Sequence, residues 1–159
     1  MTEPSQPPIR PAIPADRPLL GDVWLRAWRA TFDFPPSHPD DDVRRWLAEE
    51  MAPSHDVWVA TDPADGTRVV GFIALSAIDV DQLYIDPEFI GHGIGRRLLD
   101  LAKRERPDGL ELWCFQANAR ARRFYERNGF VATFFGDGSS NQERQPDIRY
   151  AWRTPTTPA

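Results

Sequence analysis

The sequence predicts one α/β (or α+β) domain whose elements follow the order β-α-α-β-β-β-α-β-α-β-β. The chain has 159 residues, of which 41% are hydrophobic and 27% charged, the size and composition of a single globular domain. Apolar residues recur with helical spacing in four segments, and seven shorter segments have the alternating or continuous apolar pattern of strands. We expect the domain to span residues 9–153, between a flexible proline-rich leader (1–8) and a flexible tail (154–159).

The chain begins with a predicted edge strand over residues 9–13, a position where prolines are tolerated. Asp16 is the expected N-cap of the first helix. The apolar face of that helix carries Leu20, Val23, Trp24, Ala27 and Trp28. A second helix follows Ser37 and has three aspartates in its first turn, where the helix dipole favours anions. Its predicted apolar stripe consists of Val43, Trp46, Leu47 and Met51.

Three strands come next, over residues 56–61, 68–77 and 79–85, with the turn DPADGT between the first two and Pro87 after the third. A glycine-rich turn leads into the third helix, which carries Leu98, Leu101 and Ala102. A strand over residues 110–115 precedes the fourth helix (117–128), which Gly129 ends. Two final strands, 130–135 and 147–152, enclose the polar loop GDGSSNQERQP.

The segment LYIDPEFIGHGIGRRLL (83–99) carries the first functional signal, a strand that runs into Gly91, Gly93 and Gly95 directly before a helix. Glycines let a backbone approach a ligand closely, and the N–H groups at a helix N-terminus bind phosphate oxygens. A dinucleotide fingerprint is excluded, because its sixth position counted from Gly91 is Arg96. A P-loop is excluded as well, since the sequence has no Gly-Lys-Ser/Thr. The pattern indicates a phosphate-binding turn of another kind.

The segment NARARRFYERNGF (118–130) carries the second signal. Asn118 and Tyr125 are seven residues apart, two helical turns, and therefore lie on one face of the fourth helix. Taken alone, this spacing is typical of an N-cap asparagine and a half-buried core tyrosine. Its meaning changes when it is combined with the glycine-rich turn.

Together the two segments resemble the GCN5-related N-acetyltransferase (GNAT) superfamily. The family motif Gln/Arg-x-x-Gly-x-Gly/Ala, after a strand ending in hydrophobic-Asp-Pro, is similar to IGHGIG (90–95) after LYIDP (83–87). The family's Asn…Tyr helix ending in Gly-Phe is similar to residues 118–130. The resemblance extends in element order from residue 9 to residue 152. It implies a mixed, twisted sheet of about seven strands flanked by four helices.

The resemblance implies acetyl-CoA as the cosubstrate and no metal. The backbone of residues 83–85 would pair with the pantetheine arm, and the amides of residues 91–96 would hold the pyrophosphate. Asn118 would hydrogen-bond the arm, and Tyr125 would lie near the sulfur. The implied cofactor-binding residues are Leu83, Tyr84, Ile85, Gly91, His92, Gly93, Ile94, Gly95, Arg96, Asn118 and Tyr125. Ile90 departs from the family, which has Gln or Arg there, so one side-chain contact is missing while the backbone cradle remains.

The chemistry of amine acetylation requires a base, because an acceptor amine with a pKa of about 10 is mostly ammonium at neutral pH. By the resemblance, a base lies eleven residues before the Gln/Arg position, which gives Asp79. Asp81 is the competitor, since residues two apart on a strand share a face, and either aspartate is also explained as a solvated acid. We expect direct acyl transfer with Tyr125 as the general acid that protonates the thiolate.

The predicted function is an acyltransferase that moves the acetyl group of acetyl-CoA to a primary amine of a small molecule or peptide. Residues 91–127 carry nine basic and five acidic side chains, whereas residues 31–66 carry nine acidic side chains and two basic ones. The acids of residues 40–42 and of the loop with Asp137, Asn141, Glu143 and Asp147 favour a cationic acceptor. The sequence is also compatible with an acyl-CoA donor that has a longer acyl chain than acetyl. The alternative function is a non-catalytic acyl-CoA-binding or regulatory module.

Other classes of protein fit less well. The net charge of −5 argues against general nucleic-acid binding, and no apolar run has the length of a membrane span. The single cysteine, Cys114, and the lack of a signal peptide indicate a cytoplasmic protein.

Two neighbouring residues of the strand over residues 110–115 are further candidates. Cys114 is disfavoured as an acyl-accepting nucleophile because its strand face is apolar. Trp113, on the opposite face, is a candidate wall of the acceptor pocket. The resemblance also allows a homodimer.

Overall fold

A computed structural model describes residues 5–154, in which seven strands form two antiparallel sheets. The first sheet has the order β1-β2-β3-β4, with β1 (Ile9–Pro11), β2 (Asp56–Asp62), β3 (Asp65–Leu75) and β4 (Val80–Ile85). The second has the order β5-β7-β6, with β5 (Leu110–Phe115), β6 (Val131–Gly136) and β7 (Asp147–Trp152). A parallel bridge between Asp79 and Glu111 joins the sheets at the start of β4.

Four helices flank the sheets, as predicted. They are α1 (Arg17–Thr31), α2 (Asp40–Arg45), α3 (Ile94–Glu105) and α4 (Ala119–Arg127). The helical path of α2 continues through a π-helical segment (Trp46–Met51) and a short α-helical turn (Ala52–Ser54). The predicted order of elements and the α/β class are therefore confirmed.

The central strand β3 separates two apolar cores. Phe72 and Ala74 face the core formed with α1 and α2, whereas Ile73 and Leu75 face the core formed with α3, β5 and β7. All four side chains are fully buried. Successive side chains of a strand point to opposite faces, so a continuous apolar run is the sequence that a strand covered on both sides requires.

Two predictions about the helices differ from the structure. Asp16 occupies the N-cap position of α1 as predicted, but its side chain makes no capping hydrogen bond. Its carboxylate instead accepts a hydrogen bond from the Ile13 amide at 2.8 Å and pairs with Arg10. Trp46 is not part of the buried stripe, since its side chain is 44% exposed. The π-helical segment that begins at Trp46 has more residues per turn than an α-helix, which changes the positions that face the core.

A third prediction, that Asp79 and Asp81 share one strand face, is also wrong. The register pairs Ala74 with Gln82 but Leu75 with Val80, so Asp81 is an extra residue in β4. Such a bulge breaks the two-residue alternation on which the prediction depended. The bulge therefore places the two carboxylates in different surroundings.

The described part of the predicted leader contacts the domain. The Pro8 carbonyl accepts a hydrogen bond from the Thr61 amide at 2.9 Å, and the Pro7 carbonyl accepts one from Arg97 Nη1 at 2.7 Å. Residues 1–4 of the leader and 155–159 of the tail lie outside the described residues. Between residues 5 and 154, no helix combines the length and apolarity needed to cross a membrane.

Candidate active site

A large open cavity lies where β4 and β5 diverge beyond their single bridge. Its volume is about 1510 Å³. Residues 83–85 of β4 and 113–115 of β5 form its two sides, and the N-terminus of α3, helix α4 and the β6–β7 loop complete the lining. Both segments that carried the functional signals in the sequence therefore meet in one cavity.

The glycine-rich turn forms one end of this cavity. Gly91 and Gly93 have φ angles of 91° and 76°, the left-handed region that favours glycine, and Gly93 directly precedes α3. The Ile94 side chain is buried in the core and fixes the first turn of the helix. The first N–H groups of an α-helix have no partner within the helix, so those of α3 face the cavity as free donors.

The side chains around the turn differ in their position. Arg96 lies exposed at the rim of the cavity. The ring of His92 is outside the cavity lining and lies 6.2 Å from the ring of Phe89. Of the predicted turn residues, His92 therefore contributes at most its backbone to a ligand in the cavity.

The strand β4 offers unpaired backbone groups along the same cavity. One edge of β4 pairs with β3, and within the described residues the other edge meets β5 through the Asp79–Glu111 bridge alone. The N–H and C=O groups of residues 83–85 on that edge are therefore open to an extended ligand. The Tyr84 side chain also lines the cavity, with its ring 5.6 Å from Trp24 and 6.0 Å from Phe72.

Helix α4 brings Asn118 and Tyr125 into the cavity lining. Asn118 caps the helix through Oδ1, which accepts a hydrogen bond from the Ala121 amide at 3.1 Å. Its Nδ2 makes no hydrogen bond to any described residue and stays available as a donor. The two interpretations of this asparagine, cap and ligand-binding residue, are therefore compatible in one side chain.

Tyr125 is buried among aromatic rings, with centroids 5.3 Å from Phe124, 5.7 Å from Phe130 and 6.2 Å from Tyr150. Its hydroxyl makes no hydrogen bond to the described part of the chain. Burial raises the pKa of Tyr125 above its ordinary value, since a phenolate is costly in this apolar setting. The side chain is thus a protonated donor with a free hydroxyl at the cavity wall.

The two candidate bases have different surroundings. Asp79 is held by Arg149, whose Nη2 and Nη1 donate to its two oxygens at 2.8 and 3.3 Å, and it is not part of the cavity lining. Asp81 lines the cavity. The geometry therefore brings Asp81, and not Asp79, into the site.

His55 contacts this site through Asp81 without lining the cavity itself, and nothing in the sequence pointed to it. It directly precedes β2, and its Nε2 lies 2.5 Å from Oδ2 of Asp81. The two residues are 26 positions apart, and the pairing of β2 with β3 and of β3 with β4 brings them together. Only the bulge at Asp81 and the strand register could have revealed the contact, and neither is readable from residue patterns.

Charge is divided between the two ends of the cavity. The basic side chains of the lining all come from α3 and α4: Arg96, Arg120 and Arg127. The acidic side chains come from β4, the β6–β7 loop and the start of β7: Asp81, Asp137, Glu143 and Asp147. The aspartates 40–42, also predicted near the acceptor, instead pair with arginines of the first two helices and do not line the cavity.

The acidic end has an aromatic wall. Trp113, Phe134 and Phe135 line it although they are 53%, 56% and 60% exposed, and the first two pack edge to face at 6.2 Å. Cys114 points into the core from the adjacent position and reaches the cavity lining. Burial raises the pKa of the Cys114 thiol to about 12, so it is protonated at neutral pH.

Known proteins share both the sequence pattern and the fold of this chain. The family model of the acetyltransferase (GNAT) domain matches residues 53–132. The peptidyl-lysine N-acetyltransferase YjaB of Salmonella typhimurium is 33% identical over 111 residues, covering 70% of this chain and 74% of the relative. The chain belongs to the GNAT acetyltransferase family. This acetyltransferase is also similar to the solution structure of apo-form YjaB from Escherichia coli, with 27% identity, a TM-score of 0.75 and coverage of 93% and 98% of the two chains.

The name of a third similar protein refers to an acceptor other than peptidyl-lysine. The mycothiol acetyltransferase of Propionibacterium freudenreichii is 35% identical over 121 residues, which cover 67% of this chain and 38% of the relative. Membership in the family confirms the predicted class of enzyme, an acyltransferase that uses acetyl-CoA. It favours the enzyme over the non-catalytic module, and it leaves the acceptor to be identified.

Proposed function

We propose that this enzyme transfers the acetyl group of acetyl-CoA directly to a primary amine of a cationic acceptor, such as a lysine side chain of a peptide. The observation that carries the proposal is the single cavity with a basic, amide-lined end and an acidic, aromatic end. A donor rich in phosphate fits the first end and an ammonium group fits the second. The two ends meet at Tyr125 and the open edge of β4, where the acyl group would pass from one to the other.

At the donor end, the amides of residues 91–96 would bind the pyrophosphate of acetyl-CoA. The pantetheine arm would add to the open edge of β4 as an extra strand, with Asn118 Nδ2 donating to it. Arg96, Arg120 and Arg127 supply positive charge around the phosphates. Most of this end is backbone, so the isoleucine at position 90 removes one contact without removing the cradle.

At the reacting centre, Asp81 is the base that we propose for the acceptor. It takes a proton from the ammonium group, and the free amine attacks the thioester carbon. The C–S bond then breaks, and Tyr125 donates its hydroxyl proton to the leaving sulfur. The second proton, which the nitrogen loses, returns to the Tyr125 oxygen, and the first passes from Asp81 to solvent, so one proton is released per turnover. Asp79, with both oxygens engaged by Arg149, is not suited to this role.

The exposed aromatic residues of the acidic end support a peptide as the acceptor. Trp113, Phe134 and Phe135 extend the apolar surface beyond the cavity, where the residues next to a lysine would lie. A lysine carries its ammonium on an apolar stem, which suits an aromatic wall with carboxylates beyond it. The peptidyl-lysine specificity in the name of one relative supports the same choice, whereas an amino sugar has less apolar surface to place there.

The test compares two matched variants, Asp81→Asn and Asp79→Asn, in an assay of CoA release from acetyl-CoA. Lysine-containing peptides with aromatic neighbours are the acceptors, and glucosamine is the competing acceptor. We expect Asp81→Asn to lower kcat about 10²- to 10⁴-fold, the range for a general base, while Asp79→Asn retains turnover. Equal losses in both variants, or turnover with glucosamine alone, would contradict the proposal.

Cys114 provides the test of direct transfer. A two-step route through an acetylated cysteine needs a thiolate, and burial keeps this thiol protonated. We expect Cys114→Ala to retain kcat and to show no acetylated enzyme in mass spectra after incubation with acetyl-CoA. An acetylated Cys114 in the wild type, together with loss of turnover in the variant, would establish the two-step route instead.

A further inference from the structure

His55 is placed so that both of its ring nitrogens face acceptors. Nδ1 lies 3.0 Å from the Met51 carbonyl and 2.9 Å from Ser54 Oγ, whose hydroxyl is 2.9 Å from the Glu50 carbonyl and 3.0 Å from the Met51 carbonyl. Nε2 lies 2.5 Å from Oδ2 of Asp81. The side chain of His55 is 18% exposed, so it is held by the fold but reached by water.

The short contact between His55 and Asp81 requires a proton between the two atoms. An unprotonated nitrogen and a carboxylate oxygen both carry lone pairs and repel each other at 2.5 Å, so a proton must lie between them. Nδ1 has the Met51 carbonyl as an acceptor at 3.0 Å and the Ser54 hydroxyl, which can donate or accept, at 2.9 Å. A ring protonated at both nitrogens would therefore find an acceptor for each proton, Asp81 Oδ2 for one and the Met51 carbonyl for the other.

We propose that His55 is the terminal proton acceptor of the acetyl transfer, with Asp81 passing the proton to it. The inference rests on the proposed function. In the state that accepts the proton, the ring carries its one proton on Nδ1 and Nε2 has a free lone pair. The ammonium group of the acceptor gives a proton to one Asp81 oxygen, and the other oxygen transfers a proton to Nε2, which restores the carboxylate. The imidazolium then releases one proton to solvent, so the charge of the pair returns to its starting value at each turnover.

Two of the acids near this pair are themselves paired with arginines. Asp56, next to His55 in sequence, pairs with Arg106 at 2.7 Å, and Asp79 pairs with Arg149 at 2.8 Å. Glu143 lies in the same cavity lining as the Asp81 side chain. The histidine and the carboxylate are therefore separate from these two ion pairs, and together they offer two sites for one additional proton. This is the property that a proton acceptor for an ammonium group requires.

The test replaces His55 by glutamine, whose amide can still donate a hydrogen bond to Asp81 but cannot accept a catalytic proton. We expect His55→Gln to lower kcat about a hundredfold, the low end of the range for acid–base groups, with an unchanged KM for acetyl-CoA. The pH profile of kcat/KM for the amine should also lose one ionisation. His38→Gln is the matched control, because that ring is exposed and contacts Gln142 outside the cavity lining.

A glutamine variant that retains the wild-type kcat and pH profile would overturn the proposal, since hydrogen bonding alone would then suffice. A rise in the KM of the amine with no change in kcat would overturn it as well, because His55 would then only position Asp81. Thermal unfolding of both variants checks that each is folded before its kinetics are compared.

A second measurement does not depend on turnover. The chain has three histidines, so the ¹⁵N resonances of their ring nitrogens report which nitrogens are protonated. We expect Asp81→Asn to change the ring signals of His55 and to leave those of His38 and His92 unchanged. Unchanged His55 signals would contradict the contact between His55 and Asp81, and with it the proposal, regardless of the activity of the variant. If Asp81→Asn changes the His55 signals but the wild type acetylates no amine, the proposed function is wrong while the contact between His55 and Asp81 is supported.

Discussion

The two ends of the cavity are built in different ways. The phosphate-binding part of the donor end is a local structure, since the glycine-rich turn and the first turn of α3 lie within residues 90–97. The groups that it offers are mostly backbone N–H donors. The acceptor end is assembled from β4, β5, the β6–β7 loop and the residue before β2, and its groups are side chains. A backbone site tolerates side-chain changes, whereas a side-chain site changes its specificity with each of them.

This difference also separates what the two ends can do. Amides at a helix N-terminus bind any phosphate-rich donor and carry no information about the acceptor. The carboxylates and aromatic rings select the acceptor and accept its proton. We therefore expect substitutions at the reacting centre to change kcat, those in the donor end to change acetyl-CoA binding, and those in the acidic end to change amine binding.

The largest effect is expected for Tyr125→Phe, at the boundary of the two ends. Loss of the hydroxyl should lower kcat about 10²- to 10⁴-fold, while the ring keeps its packing and the melting temperature changes little. Tyr150→Phe removes the hydroxyl of a second buried tyrosine and is the control. Because burial raises the pKa of Tyr125, its hydroxyl remains protonated up to pH 9 and the wild-type profile should show no loss of this acid there. Wild-type turnover in Tyr125→Phe would exclude it as the acid.

The largest effect within the donor end is expected for Gly93→Ala. A Cβ at this position meets nothing within 4 Å, so the cost comes from the φ angle of 76° alone. A left-handed conformation costs an L-residue about 1–2 kcal/mol, which corresponds to a roughly five- to thirtyfold loss of acetyl-CoA affinity if the turn relaxes. Titration calorimetry with acetyl-CoA measures the loss.

Gly66→Ala is the control for this prediction, because that glycine also has open space around its Cβ and no positive φ angle. It should bind acetyl-CoA as the wild type does. Equal affinities for all three proteins would mean that the conformation of the turn does not determine donor binding. A changed KM for the amine would mean that the two ends are coupled.

A smaller effect, in the opposite direction, is expected for Ile90→Gln. Residue 90 lines the cavity with an exposed side chain, so a polar residue there costs no burial. One added hydrogen bond contributes about 0.5–1.5 kcal/mol, or a two- to twelvefold gain in acetyl-CoA affinity. Ile90→Leu keeps the side chain apolar and should show no gain. An unchanged affinity in the glutamine variant would show that the backbone amides saturate donor binding.

The difference between the ends explains which features the sequence could predict. The element order depends on local patterns and is confirmed. The donor end also depends on local patterns, such as three glycines before a helix and two residues seven apart on α4. These residues line one cavity, and the binding of acetyl-CoA there stays a prediction. Asp79 and Asp81 were not separable, because one extra residue at a bulge decides which of them faces the cavity. The choice between them required the strand register, which is a non-local property.

His55 shows the same limit more clearly. A lone histidine after a helix has no pattern that marks it, and its partner is two strands away in the sheet. The prediction that Trp46 is buried was wrong for a related reason, since the π-helical segment changes the helical spacing on which the predicted stripe was based. In each case the error lies where the backbone departs from a regular repeat, and such departures are set by packing rather than by local residue type.

The smallest effects are expected from single charges at the two ends, and they separate the ends most directly. Arg120→Gln should raise the KM of acetyl-CoA, and Glu143→Gln should raise the KM of a cationic acceptor. Each change is about 1.5- to 5-fold, because single charges that water reaches contribute about 0.2–1 kcal/mol. Each variant is the control for the other, since each should leave the second KM unchanged. Salt screens both interactions, so the differences should shrink at 0.5 M NaCl. If Glu143→Gln weakened acetyl-CoA binding instead, the acidic end would belong to the donor, and the division of the cavity that we propose would be wrong.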